Sequence, residues 1–228
     1  EQMPQVEYVQ SDKAGWYRIT LNGVCRVEAA DEDGAQYARV TLDNLKRNVG
    51  SDELPNMVIE DWPDLGYRGF MLDISRNFTS KDNILRFIDL LAHYKVNVFH
   101  LHFGDDEAWR LEISKFPELT SYTAYHEFPY KNAEGENVEA DHLMPSYNGG
   151  IDPSDMSSSA NGHLTKEDYL EILKYAWERR ISVIPEFDTP GHSRAAILAM
   201  NKYAERTGDD SYLLAEPEDT SEYMSVQY

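Results

Sequence analysis

Three short stretches each close an apolar run with acids, histidines or an arginine: Asp73-Ile74-Ser75-Arg76, His100-Leu101-His102-Phe103-Gly104-Asp105-Asp106, and Glu186-Phe187-Asp188-Thr189-Pro190-Gly191-His192. Residues two apart on a strand point to the same side, so His100 with His102, and Glu186 with Asp188, each share a face. Asp73 alternates with Met71 and shares its face with core residues, where it either pairs with a base or lines a site. Carboxylates removed from water need partners, and Arg76, His102 and His192 are the candidates. One histidine in a strand is ordinarily a satisfied core residue; polar clusters closing three successive runs argue for one site rather than three accidents. Metal chemistry is one reading, because His100-x-His102 on a strand with Asp188 and His192 nearby resembles a ligand set for zinc or a similar ion. Trp109, in the loop after the second run, offers either a wall for a sugar pocket or packing for the loop itself.

The apolar runs themselves read as strands. Arg68 to Ile74 is nearly continuous, as expected for a strand covered on both faces, and Val96 to Phe103 and Ile181 to Phe187 repeat the pattern. Helices separate them. The first has Thr79 or Ser80 as N-cap and Ile84, Phe87, Ile88, Leu91 and Tyr94 at helical spacing. The second opens on a capping box, Thr165 with Asp168, and a hydrophobic staple, Leu164 with Tyr169. Its buried face is Tyr169, Ile172, Leu173 and Ala176, and Arg179-Arg180 suit its C-terminus. A third runs from Ser193 to about Thr207 and stops at Gly208. Strand alternating with helix predicts an α/β fold with parallel βαβ units, either doubly wound or a (β/α)8 barrel. No glycine-rich phosphate turn follows any strand, which favours the barrel. Upstream, Trp16 to Leu21 and Val24 to Ala29 form a hairpin about Asn22-Gly23, followed by a helix from about Asp33 to Arg47 with Ala38, Leu42 and Leu45 on one stripe. Gly50 to Gly66 reads as a connection. The division expected is therefore residues 1–60 as the end of a small α/β domain with its linker, and 61–228 as the N-terminal part of a barrel. A polar insert at about 120–163, with Asn148-Gly149-Gly150 inside it, reads as a surface excursion or a lid.

Composition narrows the partners. The 228 residues are 41% hydrophobic and 12% aromatic, enough for a packed core. Acids outnumber bases 41 to 21 for a net charge of −20, which argues against nucleic acid and anionic membrane but not against a neutral sugar. The one cysteine, Cys25, can form no disulfide within the chain and supports no cysteine-based zinc set. No apolar run is long enough for a membrane span, and no signal peptide stands at the start.

Taken together and in order, the three polar strings resemble glycoside hydrolase family 20, the β-N-acetylhexosaminidases. The family pattern R-G-x-x-x-D-x-[SA]-R-H-F is matched by Arg68-Gly69, Asp73 and Arg76. N-x-x-H-x-H-x-x-D-D-x-x-W-R is matched by Asn97, His100, His102, Asp105, Asp106, Trp109 and Arg110, and P-E-[FI]-D-x-P-G-H by Pro185 through His192. Asn77 departs from the histidine usual after the arginine. The resemblance implies a partial (β/α)8 TIM barrel of about three βα units preceded by the end of a small α/β domain. It implies that Arg76 binds sugar hydroxyls, for which its planar fork of donors is suited. It places Asp105 and His192 in a network that supports the acid/base glutamate, Asp188 as a further buried acid, and His102 and Glu186 in the same supporting network. Catalysis in the family is substrate-assisted: the 2-acetamido oxygen attacks the anomeric carbon, an aspartate orients it, and the adjacent glutamate moves the proton. That Asp-Glu pair is expected beyond Tyr228, so no catalytic residue is expected in this chain. Asp52-Glu53 has the right letters but precedes the barrel. The implied substrates are glycans ending in an N-acetyl-hexosamine, acted on in a secreted or periplasmic setting without cofactor or metal. An incomplete barrel would expose apolar strand faces and an unpaired edge, so self-association is expected. A metal-dependent TIM-barrel hydrolase using His100, His102, Asp188 and His192, and a non-catalytic sugar-binding module, are the alternatives.

Overall fold

Asn22-Gly23 turns the chain between two strands, as its type demands, and the elements then follow in regular order. The computed structural model describes residues 4–51, 53–124 and 161–213 and, for the backbone alone, 130–131 and 137–138. Its elements are β1 (Val6–Tyr8), β2 (Tyr17–Leu21), β3 (Cys25–Ala29), α1 (Glu32–Val49), β4 (Met57–Asp61), β5 (Gly69–Asp73), α2 (Lys81–His93) and β6 (Val98–Gly104). After these come α3 (Glu118–Ser121), the short strands β7 (Tyr130–Lys131) and β8 (Asn137–Val138), α4 (Lys166–Trp177), β9 (Ser182–Phe187) and α5 (Arg194–Thr207). Most of the polar insert, including Asn148-Gly149-Gly150, lies outside the described residues. The chain divides into two compact units. One comprises the residues up to Phe70 with Phe87–Val98 and Tyr175–Ser182; the other comprises Met71–Arg86, Phe99–Lys174 and the residues from Val183 onward.

In the first unit, a four-stranded sheet of order β1-β3-β2-β4 carries α1. Strand β2 pairs antiparallel with β3 (Ile19 opposite Val27) and with β4 (Ile19 opposite Ile59). Tyr17, Ile19, Leu21, Val27 and Ala29 from the sheet pack with Tyr37, Ala38 and Leu42 from the helix. Asp31 caps α1 by accepting from the Gly34 amide at 2.8 Å, and Gly50 closes it in the left-handed conformation, φ 68°. A Cβ at Gly34 would lie 2.2 Å from the Trp16 carbonyl oxygen, so the approach of this helix to its sheet requires glycine there. The stretch expected to be a connection thus contains β4. Its charges and prolines hid a short strand on the margin of a sheet, where one side of the backbone needs no partner strand. Strand β1 likewise carries no sequence signal beyond Val6-Glu7-Tyr8.

A second sheet has the order β5-β6-β9. Near the strand starts, the Arg68 carbonyl accepts from Asn97, and the Asn97 carbonyl from Ser182; near the ends of the first two, Ile74 donates to the His102 carbonyl. Start meets start and end meets end, so β5 and β6 run parallel, as the helical connection between them requires. The expectation that all three strands are covered on both faces holds only for β6. Phe70 and Met71 of β5 are 46% and 47% exposed, and Ile184 of β9 is 41% exposed, because these strands flank β6 rather than lie between neighbours. The capping box of α4 forms as expected: Thr165 N donates to Asp168 Oδ2 at 3.1 Å and Asp168 N to Thr165 Oγ1 at 3.0 Å. Both helix-to-strand turns pass through a left-handed residue, Lys95 (φ 56°) and Arg180 (φ 61°). Each spends its charge within the first unit, Lys95 on Asp61 at 3.2 Å and Arg180 on Asp33 at 2.5 Å. Among the described residues no helix is long and apolar enough to cross a membrane.

Candidate functional site

The C-terminal ends of β5, β6 and β9, with the loops that leave them, gather the polar strings of the sequence in the second unit. Asp73 ends β5 and folds its own exit loop: its Oδ1 accepts from the amides of Ser75 at 2.8 Å and Arg76 at 3.1 Å. This presents the Arg76 guanidinium to three carboxylates. Nη1 donates to Asp73 Oδ2 at 2.6 Å and Nε to Glu107 Oε2 at 3.0 Å, while Nη2 forms an ion pair with Asp105 Oδ2 at 2.7 Å. Nη2 also lies 3.1 Å from His192 Nδ1. Burial alone would lower the Arg76 pKa; the carboxylates overcome it and drive the value upward, so the charge is permanent. The side chain keeps 27% of its surface open, which leaves it reachable by a ligand.

His102 is the hub on the β6 side. Its side chain is nearly enclosed, and both ring nitrogens meet carboxylates at 2.7 Å, Nδ1 with Glu186 Oε1 and Nε2 with Asp105 Oδ2. Desolvation opposes a charge on this ring, but the two hydrogen bonds outweigh it and push its pKa up to about 9. An imidazolium at neutral pH therefore donates to both acids. In spite of burial, Asp105 is held below the usual carboxylate range by His102, the Asp106 amide at 2.7 Å and Arg76. Glu186 is held low by the same histidine and is also touched by His100. Asp188 moves the other way: burial and the charge of Glu186, to which it hydrogen-bonds, raise it. On the β9 exit, His192 adopts φ 52°, an uncommon conformation for a residue with a side chain, and sets its Nδ1 3.0 Å from Asp105 Oδ1.

All the residues singled out in the sequence (Arg76, His100, His102, Asp105, Glu186, Asp188 and His192) thus fall into one connected network. Trp109 packs its loop. Its ring stacks on Phe187 with centroids 4.7 Å apart, and a Cβ at Gly104 would come within 2.8 Å of it. Sequence reasoning missed Glu107, and it assigned no role to Asp106 or Arg110. Burial pushes Glu107 up to about 7. Asp106 is raised by burial and accepts from the Arg194 amide at 3.1 Å, where α5 begins. Arg110 is fully buried, with Nε on the Ile74 and Ser75 carbonyls, Nη2 on Ser75, and Nη1 on Ala124 and Gly162 at 2.8 and 3.0 Å. The sequence shows three successive acids at 105–107 but not which of them turns toward Arg76.

Metal-ligand atoms among the described residues cluster as His102, Glu186 and Asp188, and as Asp105, Asp106 and His192. The set foreseen for a metal-dependent hydrolase, His100, His102, Asp188 and His192, is not gathered as one. Both ring nitrogens of His102 face carboxylates at 2.7 Å, so a metal on either would have to displace a hydrogen bond of the network. The acids and the arginine they surround instead form a charged cradle at the strand ends, with the Arg76 side chain 27% exposed.

Residues 65–227 match the catalytic domain of glycosyl hydrolase family 20. The chain is 40% identical over 228 residues to a β-hexosaminidase of Vibrio vulnificus, covering 96% of this chain and 25% of that protein. It is 40% identical to the N,N'-diacetylchitobiase of Vibrio harveyi, covering 95% and 24%. Among solved structures, the family 20 exo-β-N-acetylglucosaminidase of Vibrio harveyi in complex with N-acetylglucosamine is similar, with a TM-score of 0.66 and 30% identity over 95% of this chain and 30% of that one. The β-N-acetylhexosaminidase of Bacteroides fragilis is similar too, with a TM-score of 0.67 and 29% identity over 86% of this chain and 35% of that one. The chain spans about a quarter of the length of these curated relatives.

Proposed function

This chain belongs to glycosyl hydrolase family 20, and on that premise we propose that it is part of a retaining exo-β-N-acetylhexosaminidase that removes terminal N-acetyl-hexosamine residues from glycans. The observation that carries the reading is the Arg76 guanidinium, held by Asp73, Asp105 and Glu107 yet still 27% exposed. A sugar ring presents vicinal hydroxyls, and a fixed fork of N–H donors recognises that pair better than a point charge does. The finer architecture belongs to the same proposal: residues 61–228 contribute the first three βα units of a (β/α)8 barrel, and residues 1–60 the end of the small domain before it. The parallel β5 and β6 joined by α2, and active-site residues at the C-terminal strand ends, support it.

In the reaction proposed, the substrate's 2-acetamido oxygen attacks the anomeric carbon while the glycosidic C–O bond breaks, giving an oxazolinium. A glutamic acid gives its proton to the leaving oxygen and as a carboxylate later takes one from the attacking water; it and its orienting aspartate lie outside residues 1–228. The residues present bind and tune. Arg76 holds the sugar hydroxyls, while Asp105 and His192, backed by His102, Glu186 and Asp188, set the electrostatics in which the acid works. A secreted or periplasmic location is part of the proposal and is checked by fractionating cells for the activity. Hydrolysis of an aryl N-acetyl-β-glucosaminide by the full-length protein, lost in Arg76→Ala, is the expected result; undiminished hydrolysis by Arg76→Ala would overturn the assignment of the site.

A further inference from the structure

The three carboxylates around Arg76 are not anchored alike. Asp73 is fixed by the amides of Ser75 and Arg76, at 2.8 and 3.1 Å. Asp105 is fixed by His102, by His192 and by the Asp106 amide, at 2.7, 3.0 and 2.7 Å. Among the described residues Glu107 has Arg76 Nε at 3.0 Å, the Asp105 side chain and its own amide. Its exposure, 17%, lies between the 29% of Asp73 and the 1% of Asp105. We propose that Glu107 is a positioning residue for Arg76, the one member of the cradle whose hold on the guanidinium changes with the uptake of a proton. The proposal deepens the reading of Arg76 as the sugar-binding arginine and rests on it.

A hydrogen bond between the Glu107 and Asp105 carboxyl groups needs a proton between them. With it, Glu107 is a neutral acid that donates to Asp105 and accepts from Arg76 Nε, and both acids face the guanidinium in register. Without it, two carboxylates repel, and ionised Glu107 competes with neutral sugar hydroxyls for the arginine's donors. Other groups frame this exchange: Arg76 and Asp73 from the β5 exit, His102 at the end of β6, Asp105, Asp106 and Arg110 on Glu107's own loop, and His192 from the β9 exit. His102 stays cationic up to about 9 and Asp105 is held low, whereas burial places Glu107 at about 7, so its charge changes in the neutral range.

The test uses the full-length protein with an aryl N-acetyl-β-glucosaminide, and compares wild type, Glu107→Gln and Glu107→Ala at pH 6 and 8. In wild type KM rises several-fold between these values. Glu107→Gln, whose amide donates to Asp105 and accepts from Nε at every pH, shows no such rise. Glu107→Ala raises KM about tenfold at both pH values, with a smaller effect on kcat, as expected for one lost charge-assisted hydrogen bond. Phenylglyoxal labelling of Arg76, read by peptide mass spectrometry, supplies a measure that needs no turnover: several-fold faster in Glu107→Ala, close to wild type in Glu107→Gln. A full-length wild type without turnover sinks the hexosaminidase reading, and the labelling then decides the positioning role by itself. Unchanged labelling in Glu107→Ala, or a wild-type rise of KM surviving in Glu107→Gln, overturns the proposal.

Discussion

At the scale of single residues, the site is a problem of too many acids for too few bases, and each proton settles where burial and neighbours leave it. Arg76 sets Nε, Nη1 and Nη2 each against a different carboxylate, a planar geometry an ammonium cannot reproduce. Arg76→Lys in the full-length protein is therefore expected to raise KM for an aryl N-acetyl-β-glucosaminide by about 10- to 100-fold, measured by initial rates. His102 gives a prediction with a definite pH window. Its pKa is raised from 6.5 to about 9, so its ion pairs stabilise the fold fully below 6.5, and that contribution disappears as pH rises through 9. The gap in thermal midpoint between wild type and His102→Asn should be wide at pH 6 and narrow above pH 9; a gap independent of pH would mean that His102 is not charged in the folded protein. Much of this was legible in the sequence, because alternation on a strand puts His100 with His102, and Glu186 with Asp188, on one face. Glu107 was not, because it sits at a position where the family pattern admits any residue, and only the fold of its loop turns it toward Arg76.

At the scale of elements, local signals were read correctly where they are strongest. Asn22-Gly23, Gly50, Gly208 and the Thr165–Asp168 box mark a turn, two helix ends and a helix start where the structure has them. Thr165→Ala should cost about 1 kcal/mol in chemical unfolding, the usual loss for a helix cap. Strands β1 and β4 escaped notice because their pairing with β3 and β2 is supplied by tertiary context and not by apolar alternation. Arg110 acts at this scale too. Its donors satisfy the carbonyls of Ile74 and Ser75, just before Arg76, and those of Ala124 and Gly162. Arg110→Met takes the guanidinium donors away from the Ile74, Ser75 and Gly162 carbonyls and should destabilise the protein by about 3 kcal/mol or more in denaturant titration.

At the scale of the molecule, the family match covers the second sheet and its helices, and the curated relatives are about four times as long as this chain. Residues 1–228 expressed alone present Met71 and Ile184, 47% and 41% exposed, on the flanking strands β5 and β9. Light scattering of that polypeptide is expected to show association, and Ile184→Lys to reduce it; a single monomeric species would refute the expectation. The −20 charge opposes that association and makes it stronger in high salt. One further feature acts on the chain as a thread. Gly162 N donates to the Ala124 carbonyl at 3.0 Å, and Arg110 Nη1 grips both carbonyls. Residues 124 and 162, far apart in sequence, are thereby held side by side, with a buried cation as the latch. Chain length between those two residues is then nearly free to vary, since Ala124 and Gly162 are tied to each other. The same latch would keep residues 124 and 162 side by side even in a protein whose backbone had been cut between them.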